Sequence, residues 1–153
     1  MVRHLVAVVV VAFFVVGCSM NREDSVKREV IASDGAPAAI GPYSQAIKAG
    51  DTLYCSGQIA LDPATGELVN ESVEAETRRV LENLSAVLTE AGFALSDVVR
   101  CTVYMTDMAD YGKINAVYGE YFAAEPPARV AVQVAALPKD VDVEISCIAV
   151  KTP

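Results

Sequence analysis

Histidine is nearly absent from this sequence, since His4 is the only one among 153 residues. The four cysteines, Cys18, Cys55, Cys101 and Cys147, are scattered along the chain and show none of the paired spacings of a zinc site. Because zinc sites in proteins are built mainly from these two residue types, we expect no metal centre in the folded domain.

Cys55, Cys101 and Cys147 each lie within a strand-like run of residues. The usual role of a cysteine in such a run is that of a small, buried, apolar side chain. Outside the cytoplasm a disulfide between two of them is also possible. The sequence leaves that pairing open.

Positive charge is scarce, with 12 basic against 20 acidic side chains and a formal net charge of −8. An acidic domain repels the phosphate backbone, so we expect no nucleic-acid partner. Internal repeats and low-complexity segments are also missing, and the length fits one domain.

The first segment is unlike the rest of the chain. Arg3 is followed by an apolar run over residues 5–16, which is short for a membrane span of about 20 residues. The run ends in Val15-Val16-Gly17-Cys18, which resembles the lipobox of bacterial lipoproteins.

We therefore predict a signal peptide over residues 1–17, lipidation of Cys18, a polar tether over residues 18–25 and a folded domain over residues 26–153. Without residues 1–17 the formal balance is 11 basic against 20 acidic side chains, or −9. The mature protein would be exported and held on the cell envelope by its lipid, on the periplasmic side in a Gram-negative cell. An uncleaved anchor is the alternative.

Hydrophobic periodicity predicts an α+β domain with two helices covering one face of the sheet. The predicted helices span residues 72–91 and about 108–122. Turns are predicted at Gly50-Asp51 and over residues 62–66. The predicted strands span residues 26–31, 45–49, 52–56, 97–105, 130–134 and 141–150.

Two charged residues in or next to the last two predicted strands suggest a type of reaction. Arg129 follows Pro126-Pro127-Ala128, and an arginine held in this way can clamp a carboxylate with two parallel hydrogen bonds. Glu144 lies among apolar neighbours and can hold or deprotonate a water. Together they suggest hydrolysis of a small carboxylated substrate without a metal.

The segment Leu137-Pro138-Lys139-Asp140 is predicted to be the turn of a hairpin that joins these two strands. A tight turn would place Arg129 and Glu144 on the same side of the sheet, four positions apart, or roughly 13 Å. One small substrate could not bridge that distance. Either the turn is irregular or a second subunit completes the site, and we favour the second interpretation.

Several segments in order resemble the reactive intermediate deaminase A family, also called RidA or YjgF, over about residues 28–151. The segments are Gly41-Pro42-Tyr43-Ser44-Gln45-Ala46, Ser56-Gly57-Gln58-Ile59, Pro127-Ala128-Arg129, Leu137-Pro138-Lys139-Asp140, Val143-Glu144-Ile145 and Ile148-Ala149-Val150. The resemblance implies a chorismate-mutase-like fold with a mixed sheet of about six strands. It also implies a homotrimer with active sites in the clefts between subunits.

The activity implied by the resemblance is hydrolysis of 2-aminoacrylate and related enamines or imines to 2-keto acids and ammonia, without a cofactor. The family's carboxylate-binding arginine corresponds to Arg129, and the glutamate that positions the water corresponds to Glu144. The remaining site positions of the family correspond to Tyr43, Ser56, Gly57 and Asn115.

Ala131 departs from the family pattern, because cysteine is frequent at that position. Modulation through a thiol there should be absent, although the backbone of Ala131 could still contact a ligand. The lipoprotein signal is a second departure, so an exported member could meet a different imine. The alternative function is a membrane-tethered, trimeric module that binds small carboxylates without turnover.

Overall fold

The computed structural model describes residues 26–152 of the chain. This part contains six β-strands and two α-helices, joined by loops and short 3-10 turns. The predicted signal peptide, Cys18 and the whole tether lie outside the described residues, so these predictions stay untested. The elements are β1 (Arg28–Ile31), β2 (Ala46–Ala49), β3 (Thr52–Gln58), α1 (Val73–Glu90), β4 (Val98–Met105), α2 (Tyr111–Tyr121), β5 (Ala128–Gln133) and β6 (Val143–Val150).

Helix α1 has the ends that its sequence predicts. The Ser72 hydroxyl accepts a hydrogen bond from the Ala75 N–H at 3.1 Å, which caps the first turn. Beyond the other end, Gly92 has a φ of 79°, the left-handed conformation that favours glycine. The side chains of one helix face are buried against the sheet: Val73, Thr77, Val80, Leu81, Leu84, Val87 and Leu88.

Helix α2 is shorter than predicted, because residues 108–110 form a separate 3-10 turn. The Asp107 side chain accepts a hydrogen bond from the Ala109 N–H at 2.8 Å and caps that turn. The α-helix proper therefore begins at Tyr111, and both Tyr111 and Asn115 lie in its first turns.

The strands form one mixed sheet in the order β1-β2-β3-β6-β4-β5. Neighbouring strands are antiparallel except β4 and β5, which run parallel. Both helices pack on the same face, with α1 against β3 and β6 and α2 against α1. The predicted α+β class, the six-stranded mixed sheet and the helices on one face are confirmed.

The predicted hairpin between the last two strands is wrong. Strand β4 lies between β5 and β6 and pairs with both. A parallel pair of strands needs a long crossover, and α2 provides it, so β5 is placed on the outer side of β4. The chain then returns through a 3-10 turn over Pro138–Asp140 to reach the other side of β4.

The prediction that Arg129 and Glu144 share a face is wrong for the same reason. Arg129 is in register with Cys101 of β4, which is fully buried beneath the helices. Glu144 is in register with Tyr104, three residues further along, and side chains alternate along a strand. Arg129 therefore lies on the helix-covered face and Glu144 on the opposite, helix-free face.

Of the helices within residues 26–152, neither has the length and apolar character needed to cross a membrane.

Candidate functional site

Four of the seven residues predicted for the site line one cavity of about 350 Å³. We call Tyr43, Ser56, Gly57 and Glu144 the glutamate cluster. Ile40, Ile59 and Pro138 complete the walls and make them largely apolar. The cavity thus sets one carboxylate and two hydroxyls against an apolar lining, as in many small-molecule sites.

Ser56 and Gly57 reach the cavity through an irregularity in strand β3. The register between β3 and β6 shifts between Cys55 and Gln58. Such a bulge re-aims side chains locally. The Ser56 hydroxyl donates to the Ser44 carbonyl at 2.7 Å, which fixes its position.

Glycine is the only residue type that fits at position 57 without displacing the Glu144 side chain. A Cβ atom built on Gly57 would lie 1.8 Å from Glu144 Oε1 and 2.7 Å from Cδ. The absence of a side chain at Gly57 thus lets the carboxylate lie directly against the backbone of β3.

Glu144 is half-buried, and burial raises the pKa of its carboxyl above the ordinary value of 4.5. Burial is the sole cause of that shift, with no hydrogen bond to another group of residues 26–152 contributing. The carboxylate is therefore available to accept a hydrogen bond from a bound water.

Tyr43 lines the cavity from the loop before β2. Its hydroxyl accepts a hydrogen bond from the Ile40 N–H at 3.2 Å. The Tyr43 N–H donates to the Gly41 carbonyl at 2.8 Å, so the Gly41-Pro42-Tyr43 segment closes a tight turn. Since 46% of the Tyr43 side chain is exposed, the ring can contact a ligand.

Arg129 belongs to a second group of side chains on the other face of the sheet. Its guanidinium lies 4.7 Å from the centre of the Tyr118 ring and 5.7 Å from that of Tyr111. Nη2 also donates to the Tyr111 hydroxyl at 3.2 Å. We call Arg129, Tyr111, Asn115 and Tyr118 the arginine cluster. Stacking on two rings fixes the plane of the guanidinium, as a bidentate carboxylate clamp requires.

Asn115 and Tyr111 provide polar groups beside Arg129 in the arginine cluster. The Asn115 amide and the Arg129 guanidinium lower the pKa of the Tyr111 phenol. The Asn115 Oδ1 atom is buried and has no hydrogen-bond partner within residues 26–152. A buried acceptor of this kind calls for a donor from a ligand, a water or another chain.

Tyr111 and Tyr118 are the site residues that sequence reasoning missed, because neither lies in one of the segments that carry the family resemblance. Their spacing was the available signal. Positions 111, 115 and 118 lie on one helical face, so a polar tip at Tyr111 and an amide at Asn115 point the same way. Ala131, also predicted for the site, lies on the same sheet face as Arg129 and is partly buried against the core.

The two clusters are far apart within one chain. They are separated by two strand spacings across the sheet and three residues along it, which is about 14 Å for Arg129 and Glu144. The sheet itself also lies between the two side chains. One small substrate could not touch both within a single chain.

Within residues 26–152 no group of three or more histidine, cysteine, aspartate or glutamate side chains is arranged to hold a metal ion.

A family model described as Endoribonuclease L-PSP matches residues 33–151, which is most of the chain. The chain belongs to the Endoribonuclease L-PSP family. This is the family of RidA and YjgF, so the resemblance seen in the sequence motifs is confirmed.

L-PSP family relatives match this chain over nearly their whole length. A RutC family protein of Pyrococcus horikoshii is 56% identical over 124 residues, covering 81% of this chain and 98% of that protein. The 2-iminobutanoate/2-iminopropanoate deaminase of Mus musculus is 49% identical over 129 residues, covering 84% and 96%.

Solved structures of L-PSP family members share the fold. RidA from the Antarctic bacterium Psychrobacter sp. is 46% identical with a TM-score of 0.78, covering 80% of this chain and 99% of that one. E. coli TdcF with bound serine is 42% identical with a TM-score of 0.78, covering 81% and 99%.

Proposed function

We propose that this protein hydrolyses reactive enamines and imines of the 2-aminoacrylate and 2-imino acid type to 2-keto acids and ammonia. The observation that carries the proposal is that the site residues fall into two clusters. One cluster holds a carboxylate base, the other holds a cation, and each lacks the group that the other provides. The glutamate cluster offers a base for water and no cation for a carboxylate. The arginine cluster offers the cation and no carboxylate base. The mouse deaminase, at 49% identity, supports the reaction type.

The complete site would form between two subunits of a homotrimer, with the arginine cluster of one chain facing the glutamate cluster of the next. The exposed apolar side chains on the helix-free face support such an assembly. Tyr54, Val130 and Val132 are 51%, 40% and 37% exposed on that face. An apolar sheet surface of this kind is typical of an interface between copies.

Arg129 would begin the reaction by binding the substrate carboxylate through two parallel hydrogen bonds. Glu144 would then accept a proton from a water as the water oxygen bonds to the imine carbon. The same carboxyl group would return the proton to nitrogen, which gives a carbinolamine with a hydroxyl and an amino group on the former imine carbon. The carboxylate would then take the hydroxyl proton and pass it to the amino group, so that the carbon–nitrogen bond breaks as the carbonyl forms and ammonia and the keto acid are released. Tyr43 and Ser56 can hydrogen-bond the water or the amine.

For this reaction the protein needs mainly to position the water and the imine and to exclude competing nucleophiles. An imine carbon is already electrophilic, so no activated side-chain nucleophile is needed. The rate gain would come from holding water and imine together in the correct orientation. The apolar walls of the cavity would exclude competing nucleophiles.

The direct test is an assay of the full-length chain, solubilised in detergent, on imino acids generated in place by an amino acid oxidase. We expect faster release of keto acid and ammonia than in buffer. Arg129→Ala should lower kcat/KM by roughly 100-fold, since a charge-assisted clamp contributes about 3 kcal/mol. Arg129→Lys should be intermediate, because lysine keeps the charge and loses the fork. Wild-type rates no faster than buffer on every imino acid tested would refute the proposal.

A non-catalytic, carboxylate-binding module is the second candidate, and the serine bound to E. coli TdcF favours it. This function requires binding of keto or amino acids that depends on Arg129, with no turnover. Calorimetric titration of pyruvate or serine into wild type and Arg129→Ala separates it from the deaminase when read beside the activity assay.

Cleavage of RNA, which the family description names, has poor support in this chain. The formal net charge of −8 repels a phosphate backbone.

We also propose that the chain is exported and anchored to the envelope by a lipid on Cys18. The support is the apolar run over residues 5–16 and the lipobox-like Val15-Val16-Gly17-Cys18. Cys18→Ser should abolish incorporation of labelled fatty acid and release the protein from the membrane fraction. Membrane retention of that variant would favour an uncleaved anchor.

A further inference from the structure

Glu76 is an acidic residue on the buried face of helix α1, and its side chain is only 3% exposed. A buried carboxylate costs free energy unless it is paired or hydrogen-bonded. Within residues 26–152 Glu76 forms no ion pair. Its Oε2 atom instead accepts a hydrogen bond from the Asp142 N–H at 2.8 Å. This bond is made two residues before Glu144, which suggests a role for Glu76 in the site.

Residue 142 is fixed through all of its polar groups. Its N–H donates to Glu76, its carbonyl accepts from the Thr106 N–H at 3.1 Å, and its carboxylate accepts from the Thr106 hydroxyl at 2.9 Å. The bonds to Thr106 extend the ladder between β4 and β6, whereas the bond to Glu76 attaches the start of β6 to α1. Residue 142 is therefore the point at which the helix layer fixes the strand that carries Glu144.

The turn that leads into residue 142 is strained. Lys139 and Asp140 both have a φ of 58°, a left-handed conformation that residues other than glycine seldom adopt. Such residues cost free energy and persist where the surrounding structure holds them in place. Pro138, at the start of this turn, lines the same cavity as Glu144. The bonds at residue 142 thus fix a segment that contributes both Pro138 and Glu144 to the cavity.

Helix α1 also fixes another wall of this cavity. Asn83 lies two turns after Glu76 on the same helix face and is 1% exposed. Its amide nitrogen donates to the carbonyls of Ile59 and Leu61 at 3.1 and 2.9 Å, and Ile59 lines the cavity. Two buried polar side chains of α1 therefore bond to the backbone of two segments that form the cavity.

We propose that Glu76 is a positioning residue for Glu144, fixing the start of β6 so that the Glu144 carboxylate lies against Gly57 and faces the cavity. This inference rests on the proposed hydrolysis, in which Glu144 takes the proton of the attacking water. Glu76 itself does not line the cavity, since α1 packs on the other face of the sheet. Its effect is on orientation, and a displacement of about 1 Å in a catalytic group can cost a large part of the rate.

Three substitutions at Glu76 separate the hydrogen-bond acceptor from the charge. Glu76→Gln keeps an acceptor oxygen at the same reach. Glu76→Met keeps the length of the side chain and removes the acceptor. Glu76→Asp keeps the charge and shortens the reach by one methylene. The full-length chain would be assayed on imino acids, well below the unfolding temperature of each variant.

We expect Glu76→Gln to stay close to wild type. Glu76→Met and Glu76→Asp should lower kcat by roughly 10-fold or more with little change in KM, because Arg129 still binds the substrate carboxylate. Glu74→Met is the matched control, since Glu74 lies in the same first turn of α1 and is only partly buried. It loses the same charge near the helix N-terminus and should keep the wild-type kcat.

Hydrogen–deuterium exchange tests the positioning without any need for turnover. The Asp142 N–H is protected by its bond to Glu76, so Glu76→Met should speed deuterium uptake by the segment 138–144. Uptake by that segment should match wild type in Glu76→Gln. Strands β1 and β2 should exchange at the wild-type rate in every variant, which distinguishes a local change from a general loss of stability.

The outcomes separate this inference from the proposed function. Wild-type protein no faster than buffer would refute the hydrolysis, and deuterium uptake would then decide whether Glu76 fixes the segment. Active wild type with an unchanged kcat in Glu76→Met would overturn the positioning role, as would unchanged uptake by residues 138–144. Should Glu76→Met fail to fold, Glu76→Asp decides by the same criteria.

Discussion

Arg129 and Glu144 project from opposite faces of one sheet, with strand β4 between their strands. Each is surrounded by its own set of polar partners, and neither set is a complete site for an imino acid. The separation makes the assembly of subunits part of the proposed chemistry. It also means that each cluster can be tested separately.

The raised pKa of Glu144 should appear in the pH profile of the reaction. The carboxylate form is needed to take a proton from water, so kcat/KM should fall as the pH drops through the pKa of Glu144. Burial raises that pKa, and the midpoint of the acid limb should therefore lie above 4.5. Rates measured from pH 3 to 8 check this, and a kcat/KM that does not fall on the acid side would contradict the role of Glu144.

Glu144→Gln should lose activity without losing stability. Because burial raises the folded-state pKa above the unfolded one, this group favours folding at low pH, and that contribution is lost as the pH rises through the folded pKa. At pH 7 the glutamine variant should be at least as stable as wild type. The difference should vanish near pH 4 in thermal unfolding scans, and a variant much less stable at pH 7 would refute the argument.

Gly57→Ala should displace the Glu144 carboxylate, because the new Cβ would lie within 1.8 Å of Oε1 in the present geometry. We expect kcat to fall by at least 10-fold while the protein still folds, since the clashing atoms belong to a side-chain end. Gly119→Ala is the matched control, because nothing lies within 4 Å of a Cβ at that position. Equal activity of the two variants in the imine assay would show that Gly57 does not position Glu144.

Tyr111→Phe should weaken substrate binding more than turnover. The change removes the hydroxyl that accepts a hydrogen bond from Arg129 and keeps the ring beside it. Loss of one charge-assisted bond should raise KM by roughly 10-fold with little change in kcat. Tyr121→Phe, on the same helix, serves as the control. If kcat falls and KM does not, Tyr111 acts in the chemical step rather than on Arg129.

The sequence predicted the local structure well, because local signals determine it. The Ser72 cap, the apolar face of α1 and the Gly92 terminator all act within a few residues, and the structure places that helix within one residue of the prediction at each end. The end of the second helix was also close, whereas its first turn was lost to the 3-10 turn at Asp107.

The pairing of the strands could not be predicted from such local signals. Alternation along β5 and β6 identifies two faces for each strand and does not say which strands are neighbours. The crossover through α2 decides that β4 lies between them, and this follows from packing of the whole domain. The error placed Arg129 on the wrong face and removes the hairpin argument for a second subunit. That expectation now rests on the family resemblance and on the separation of the two clusters.

The prediction of the site residues was limited in the same way, because sequence motifs do not show which side chains the fold brings together. Motif order placed Tyr43, Ser56, Gly57 and Glu144 in one family pattern, and the structure brings these four into one cavity. Tyr111 and Tyr118 carry no motif of their own. Their contact with Arg129 depends on how α2 packs against β5, which only the folded domain reveals.

Mixed trimers provide the most direct test of the account. Arg129→Ala and Glu144→Gln chains with different tags would be co-expressed, and trimers that carry both tags isolated. Each parent alone should be inactive. In every mixed ring, one subunit boundary joins an intact arginine cluster to an intact glutamate cluster, so we expect about one-third of wild-type activity. Mixed trimers no more active than their parents would contradict a site shared between subunits.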